Sequence, residues 1–216
     1  NMLEDGRIMY TRWDYVMKGY NVIQQLWAVN PDGRRASLLY GDHYAFSVGP
    51  ITFFEARQIP GTSKIICTGA GHHNTGTGPI MIVDFEQNRG TRKSMANVTP
   101  EIGYPEINPR VLKEICQEKL PGDAIPTGYS QTGWYSSPYP LTEKHYIAAG
   151  SFEIRCRVFN GFAIYLMDIH GNKELIYRLD DASCYSPMPV RPRKKPRIIA
   201  DMVKGVDPKT PGTLIV

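Results

Sequence analysis

The chain lacks the local cysteine motifs that hold metal ions or haem in many proteins. Its four cysteines, Cys67, Cys116, Cys156 and Cys184, lie far apart, so no CxxC, CxxCH or zinc-finger spacing occurs. The sequence therefore contains no attachment motif for a c-type haem. An even number of cysteines permits two disulfides, but Cys67 and Cys156 lie in predicted strands, where a buried free thiol is common.

Long apolar runs and a strong excess of one charge are also missing. No stretch approaches the roughly 18 apolar residues that suggest a transmembrane helix, and no signal peptide is recognisable, so we expect no membrane span. The net charge is only +4, and much of the excess lies in one basic, proline-containing run at residues 191–197. We interpret this run as a solvated connector and expect no nucleic-acid partner.

Motifs for nucleotide binding and for hydrolysis are incomplete. The segment GAGHHN at 69–74 lacks the final glycine of a dinucleotide fingerprint, and no Gly-Lys-Ser/Thr follows it. The segment GYSQTG at 128–133 lacks the glycine that a nucleophile elbow needs two positions after its serine. Cys156 is flanked by two arginines, but strand alternation directs both to the face opposite the thiol. We therefore predict no catalytic residue in this chain.

Turn residues and tyrosine are abundant, with 20 Gly, 17 Pro and 13 Tyr, which favours many short strands over long helices. One pattern occurs three times: an apolar run ending in Asn or Asp, a Gly-containing turn, and a return strand. These copies begin at Leu26, Ile80 and Ile164. Another predicted strand precedes each copy, so the chain is predicted to consist of three similar units.

Short segments upstream, such as residues 55–59 and 136–139, would complete a four-stranded antiparallel blade in each unit. Because a lone blade cannot bury both faces, we predict an all-β protein whose blades stack around an axis as part of a β-propeller. Propellers have about four to eight blades, and about three are predicted here, so we expect the chain to be part of a larger protein. A plain β-sandwich is the alternative.

We place the blades at about residues 1–50, 51–105 and 134–190, so that residues 1–190 form a partial propeller. Within residues 106–133, Asn108 and Pro109 suit the start of a short helix, which predicts a helical insertion between the second and third blades. Residues 191–216 are predicted to be the connector and the start of the next blade or domain.

The candidate metal ligands are His72 and His73, which lie in a Gly-rich loop. Imidazole binds zinc, copper or iron, and a flexible loop would let both rings approach a metal ion. A metal site needs three or four ligands and the sequence offers two, so imidazoles that hydrogen-bond to backbone are the alternative.

A second group of candidates combines aromatic and charged side chains that we predict at one mouth of the propeller, where ligands or protein partners often dock. Packing of the aromatic rings between blades is the alternative. The group contains Arg12, Trp13, Asp14, Tyr15, Arg57, Trp134 and Tyr135.

The repeat resembles the blades of TolB-like propellers, which run from a Pro-Asp-Gly-type turn into a strand and end in an apolar strand, an acid and another Gly turn. Four segments and the basic region that begins at Pro192 are similar, in their order, to the middle propeller domain of the hydrazine synthase alpha-subunit family. The segments are YTRWDY at 10–15, LWAVNPDG at 26–33, EARQIPG at 55–61 and GHH at 71–73. The resemblance covers essentially the whole chain.

This resemblance implies an exported or periplasmic bacterial protein in which a propeller stands beside haem-bearing parts. In the founding enzyme of the family, nitric oxide, ammonia and electrons yield hydrazine at haem centres. The missing CxxCH motif is a departure, so the hydrazine chemistry is not transferred to this segment.

Three functional hypotheses follow. The favoured one is a non-catalytic scaffold and binding domain whose partners are the remainder of its own polypeptide and a further protein. The alternative is the propeller part of a metal- or haem-dependent oxidoreductase, with a metal ion held by His72 or His73. The third is the propeller cap of a serine peptidase, which requires a downstream hydrolase domain.

Overall fold

The computed structural model describes residues 1–14, 24–41, 52–71, 76–87, 92–102, 134–152, 161–201 and residue 209. These residues contain eleven β-strands and one short 3-10 turn, Arg92–Ser94, so the described part of the chain is all-β, as predicted. The predicted helical insertion at 106–133 lies outside the described residues, as do Cys116 and Cys156. Within the described ranges, no helix is long and apolar enough to cross a membrane.

The strands form three antiparallel meanders in chain order. The first meander contains β1 (Ile8–Trp13), β2 (Gln24–Val29) and β3 (Ser37–Tyr40). The second contains β4 (Thr52–Gln58), β5 (Lys64–Ala70), β6 (Ile80–Asp84) and β7 (Met95–Asn97). The third contains β8 (Trp134–Pro140), β9 (His145–Ser151), β10 (Ala163–Asp168) and β11 (Lys173–Tyr177).

The hairpin turns form where the repeated pattern predicts them, and the acid at the strand end stabilises the turn. In the third meander, Asp168 Oδ1 accepts hydrogen bonds from the backbone N–H groups of His170 at 2.9 Å and Asn172 at 3.0 Å. The hydrogen bond from the Asn172 side-chain amide, together with these two backbone hydrogen bonds, lowers the pKa of Asp168. Asp84 occupies the equivalent position and accepts from the backbone of Glu86 at 3.0 Å.

The meanders lie side by side. The first and second join through one parallel pairing, Gln24 with Thr52, so they form a single seven-stranded sheet. The third is a separate four-stranded sheet, linked to the second by an isolated bridge between Gly78 and Tyr135. A Cβ on Gly78 would lie 2.0 Å from the carbonyl oxygen of Gly69, so the chain approaches β5 closely enough to require glycine there.

The second meander is buried on both faces, because its strands alternate between two hydrophobic cores. On β5, Ile65 and Cys67 belong to the core shared with the first meander, whereas Ile66 belongs to the core shared with the third. On β6, Met81 belongs to the core shared with the first meander and Ile80 to the core shared with the third. This middle position is the physical reason that β5 and β6 are apolar nearly throughout.

The chain leaves the third meander as an extended segment that returns to the first. The backbone N–H of Cys184 donates to the carbonyl of Phe162 at 2.8 Å, and that of Arg197 donates to the carbonyl of Glu4 at 3.0 Å. Residues 184–197, which we call the connector, therefore span the molecule between two fixed points. This segment overlaps the predicted connector, residues 191–216, in residues 191–197, and it contacts the third and the first meander at its two ends.

Candidate functional site

Three of the predicted site residues, His72, His73 and Tyr15, lie outside the described residues. Metal binding by the two histidines therefore stays a prediction. Within the described part of the chain, no group of three or more His, Cys, Asp or Glu side chains is arranged to hold a metal ion.

Arg12, Trp13 and Asp14 lie at the end of β1, next to the start of β4. Arg12 Nε donates to Asp14 Oδ1 at 2.8 Å, and the guanidinium lies 4.3 Å from the centre of the Trp27 ring. The Trp13 side chain is half exposed. The structure thus brings these three predicted residues together as an exposed ion pair beside an exposed ring.

Arg57 lies at the opposite end of the sheet from Arg12 and Asp14. The prediction that these three residues share one site is therefore wrong. The reason is strand direction: β1 pairs antiparallel with β2, and β2 pairs parallel with β4, so β1 and β4 run in opposite directions. Thr11, near the end of β1, donates to Phe53 at the start of β4, at 2.6 Å. Arg57 is four positions further along β4 and donates to Asn1 at 3.1 Å.

Trp134 and Tyr135 are in the core, where the alternative of ring packing between blades places them. The Tyr135 hydroxyl donates to Glu101 Oε1 at 2.9 Å and accepts from Lys173 Nζ at 3.2 Å. Burial, followed by the charge of Glu101, raises the pKa of Tyr135, so it stays a neutral donor. Lys173 also lies 4.7 Å from the centre of the Phe152 ring. These contacts connect the second and third meanders and leave neither ring open to a ligand.

Cys67 is a buried free thiol, as predicted from its strand position. Its sulfur lies 3.8 Å from the carbonyl oxygen of Met81. Burial raises the pKa of this thiol, so it is held in the protonated, unreactive form.

A cleft of about 560 Å³ lies at the end of the sheets that carries Arg57. Its walls are the ends of β4 and β8, the turn at residues 1–4, and residues 191–196 of the connector. The Arg57 guanidinium stacks 4.9 Å from the centre of the buried Tyr139 ring. The volume is in the range of pockets that hold small molecules. We call this feature the cationic cleft.

The charge of the cationic cleft is strongly positive. Glu4 is its one acidic lining residue, and Glu4 Oε1 accepts from the backbone N–H of Gly61 at 3.0 Å. The basic lining residues are Arg57, Arg191, Arg193, Lys194 and Lys195. The four on the connector are exposed. This arrangement attracts anions.

Between β4 and β8, the Glu55 carboxylate accepts hydrogen bonds from several neighbouring hydroxyl groups. Its carboxylate accepts hydrogen bonds from Ser136 Oγ at 3.0 Å, Ser137 Oγ at 2.6 Å, Thr68 Oγ1 at 3.4 Å and the backbone N–H of Ser137. Ser186 Oγ lies 3.4 Å from Ser137 Oγ, which adds the connector to the cluster. We call these five residues the Glu55 cluster.

The backbone of the Glu55 cluster is unusual. Glu55, Ser137 and Ser186 are non-glycine residues with φ of +53°, +54° and +50°. Such left-handed residues persist where surrounding contacts hold them. Glu55 and Ser137 lie within register shifts of β4 and β8, and a bulge redirects side chains and bends a strand. The hydrogen bonds of the cluster join β4, β5, β8 and the connector.

Sequence reasoning missed both the cationic cleft and the Glu55 cluster. The signal for the cleft was present, since five of the seven residues in the run 191–197 are basic and four of these five line the cleft. We interpreted that run as a solvated connector because the sequence does not show what it packs against. The signal for the cluster was weaker: segments 55–59 and 136–139 are equivalent in the repeat, which predicts that they lie at equivalent places.

No family model and no curated protein matches the sequence. Among solved structures, the fold is similar to that of hydrazine synthase from Kuenenia stuttgartiensis, with a TM-score of 0.64 and 19% sequence identity. The match covers 92% of this chain and 21% of the other chain. At this identity the likeness concerns the fold alone, and the chain spans about a fifth of the length of that protein. The resemblance noted in the sequence is thus supported at the level of fold.

Proposed function

We propose that this chain is a segment of about three blades from a TolB-like β-propeller, and that it serves as a non-catalytic scaffold and binding module. In this proposal it belongs to a larger exported bacterial protein similar to hydrazine synthase. One observation carries the proposal: the second meander is packed on both faces by its neighbours, which is the environment of a blade inside a ring. A two-layer sandwich would leave one face of each sheet uncovered by another sheet.

The positions of the first strand in each meander favour an arrangement of the meanders around one common axis. Strands β4 and β8 each begin a four-stranded meander, each carries a left-handed residue at a bulge, and the Glu55 cluster joins them. Met2, which precedes β1, bridges to Ile8 and takes the position that β4 and β8 take in their own meanders. Equivalent strands that meet on one side are expected if the blades radiate from a centre.

The face of the third meander that points away from the second carries exposed apolar side chains. These side chains favour a further blade as the partner of this face. Met167 and Tyr165 pack toward the second meander, so alternation directs Leu166 to the opposite face, where it is 37% exposed. The side chains of Leu175, Ile176 and Tyr177 on β11 are each about half exposed. Burial of such side chains contributes about 1 kcal/mol or more each, so a neighbouring blade would stabilise this face. The 21% coverage of the similar structure fits a chain whose other blades lie elsewhere in the same polypeptide.

The second candidate function is the propeller part of a metal- or haem-dependent oxidoreductase. The fold-level similarity to an enzyme, hydrazine synthase, favours it. In this case His72 or His73 would contribute to a redox centre that other parts of the protein complete. The sheet end that carries Arg12 is also where β5 ends, at Ala70, shortly before the two histidines in sequence.

Metal and haem analysis of the intact purified protein separates the two candidates. We would compare the wild type with a His72→Ala/His73→Ala variant, using elemental analysis and an absorption spectrum. The matched control is His145→Ala/His170→Ala, which removes two histidines from the other end of the sheets. The scaffold proposal predicts the same metal and haem content in all three proteins. Stoichiometric metal or a Soret band that weakens only in the His72→Ala/His73→Ala variant would favour the oxidoreductase.

A further inference from the structure

We propose that the cationic cleft binds a small oxyanion that carries two or more negative charges on phosphate or carboxylate groups. This inference goes beyond the scaffold role, because it concerns a ligand and does not depend on how the ring is completed. Its basis is the fixed path of the connector, the unbalanced charge of the cleft, and the size and chemistry of its walls.

The connector holds its basic residues in place on both sides of the cleft. At one side the Tyr185 ring packs on Phe162 with centroids 4.8 Å apart, beside the backbone hydrogen bond of Cys184. In the middle, Arg191 Nη2 donates to the carbonyls of Pro140 at 3.4 Å and Leu141 at 3.3 Å. At the far side the backbone of Arg197 is bonded to Glu4. Proline rings at 192 and 196 restrict the backbone between these anchors, so less entropy is lost when a ligand binds.

The basic residues of the cleft lie close together without acidic partners. Three basic residues on or near strands do have such partners: Arg7 pairs with Asp5 at 2.7 Å, Lys64 with Glu143 at 3.1 Å, and Lys173 with Glu101 at 3.3 Å. By contrast, the described part of the structure contains no salt bridge to Arg191, Arg193, Lys194 or Lys195.

Unpaired like charges that share a cleft repel one another, so bringing them together is unfavourable. A bound anion removes this repulsion and gains charge-assisted hydrogen bonds, each about twice as strong as a neutral one. The cleft therefore carries excess positive charge, which a multivalent anion would neutralise more completely than a monovalent anion. This is the reason for a ligand with two or more negative charges.

The walls of the cleft favour a small molecule over a nucleic acid or a protein segment. The volume of about 560 Å³ suits a ligand of metabolite size. Arg57 stacks on Tyr139, which holds the guanidinium plane at the cleft wall. A guanidinium in a fixed plane can make paired hydrogen bonds to carboxylate or phosphate. A basic surface for nucleic acid is expected to extend as a stripe, whereas these charges converge on one cleft.

Calorimetric titration of the intact protein tests this inference, with tripolyphosphate and citrate as separate probes. The test variant is Arg193→Gln/Lys194→Gln, which removes two charges from the cleft. The matched control is Arg34→Gln/Arg35→Gln, which removes two charges from the exposed turn between β2 and β3. We expect the wild type and the control to bind alike, and the cleft variant to bind at least about tenfold more weakly, because two charge-assisted contacts are lost.

The two probes show whether the cleft prefers phosphate or carboxylate groups on its ligand. Binding of tripolyphosphate alone would assign phosphate groups, binding of citrate alone would assign carboxylates, and binding of both supports the shared chemistry. The inference is overturned if neither probe binds the wild type, or if the cleft variant and the control lose affinity equally, because the attraction would then be general. None of these results depends on metal content or on the packing of further blades, so the scaffold proposal stands or falls separately.

Discussion

At the scale of single residues, Glu55 adds hydrogen bonds between two sheets that, in the described residues, share a hydrophobic core and one backbone bridge. Its carboxylate accepts hydrogen bonds from side chains of β8 and β5. Ser137 in turn hydrogen-bonds to Ser186 of the connector. The left-handed backbone of Glu55 points the side chain across the gap between β4 and β8. Hydrogen bonds to a charged group contribute more than neutral ones, which offsets the backbone strain.

We therefore predict that Glu55→Gln lowers the free energy of unfolding of the intact protein by about 1 kcal/mol. The loss is modest because the glutamate is exposed and solvent screens its charge. The matched control is Glu86→Gln in the exposed turn after β6, which should change stability by less than about 0.5 kcal/mol. Urea denaturation curves of the two variants check this, and equal stability of both would contradict a joining role for Glu55.

At the scale of elements, strand periodicity and turn chemistry were sufficient to predict much of the fold. The repeated turns at Asp84 and Asp168 formed as expected because the capping acid and the turn residues are local in sequence. The apolar character of β5 and β6 predicted strands, and burial on two faces accounts for it. These features depend on neighbours within a few residues, which a single sequence displays.

The site could not be predicted to the same extent, because it depends on contacts between distant parts of the chain. Arg12 and Arg57 were assigned to one end of the propeller, and the direction of β1 relative to β4 separated them. The sequence suggested that the connector is a solvated segment. In the structure its contacts with Pro140, Leu141 and Glu4 hold it along the cleft. Neither strand direction nor the path of an extended segment leaves a periodic signal in sequence.

The third meander carries the prediction that belongs to the element scale. If a further blade covers its outer face, Leu166→Asp in the intact protein places a charge in an apolar interface and should lower stability by about 2 kcal/mol or more. The control is Met188→Asp on the connector, whose side chain is about half exposed and lies outside the sheets. Thermal unfolding of both variants provides the comparison. An unchanged melting temperature for Leu166→Asp would mean that nothing packs on this face.

At the scale of the whole molecule, the sheets present two different ends. One end carries the Arg12–Asp14 ion pair and the exposed Trp13, at the point where β1 and β5 finish. The other end carries Arg57, the connector and the cationic cleft. Under the propeller proposal these are the two mouths of a ring, which would allow the scaffold to hold different partners on its two sides.

The most direct test of the propeller proposal is a cryo-EM map of the intact protein at a resolution that traces strands. We predict that further four-stranded sheets pack on the outer face of the third meander and on the free face of the first, so that β4 and β8 face a common axis. The scaffold would then be a closed ring of which this chain forms a part. A map in which the outer face of the third meander meets only solvent, with no further sheets around the axis, would contradict the account.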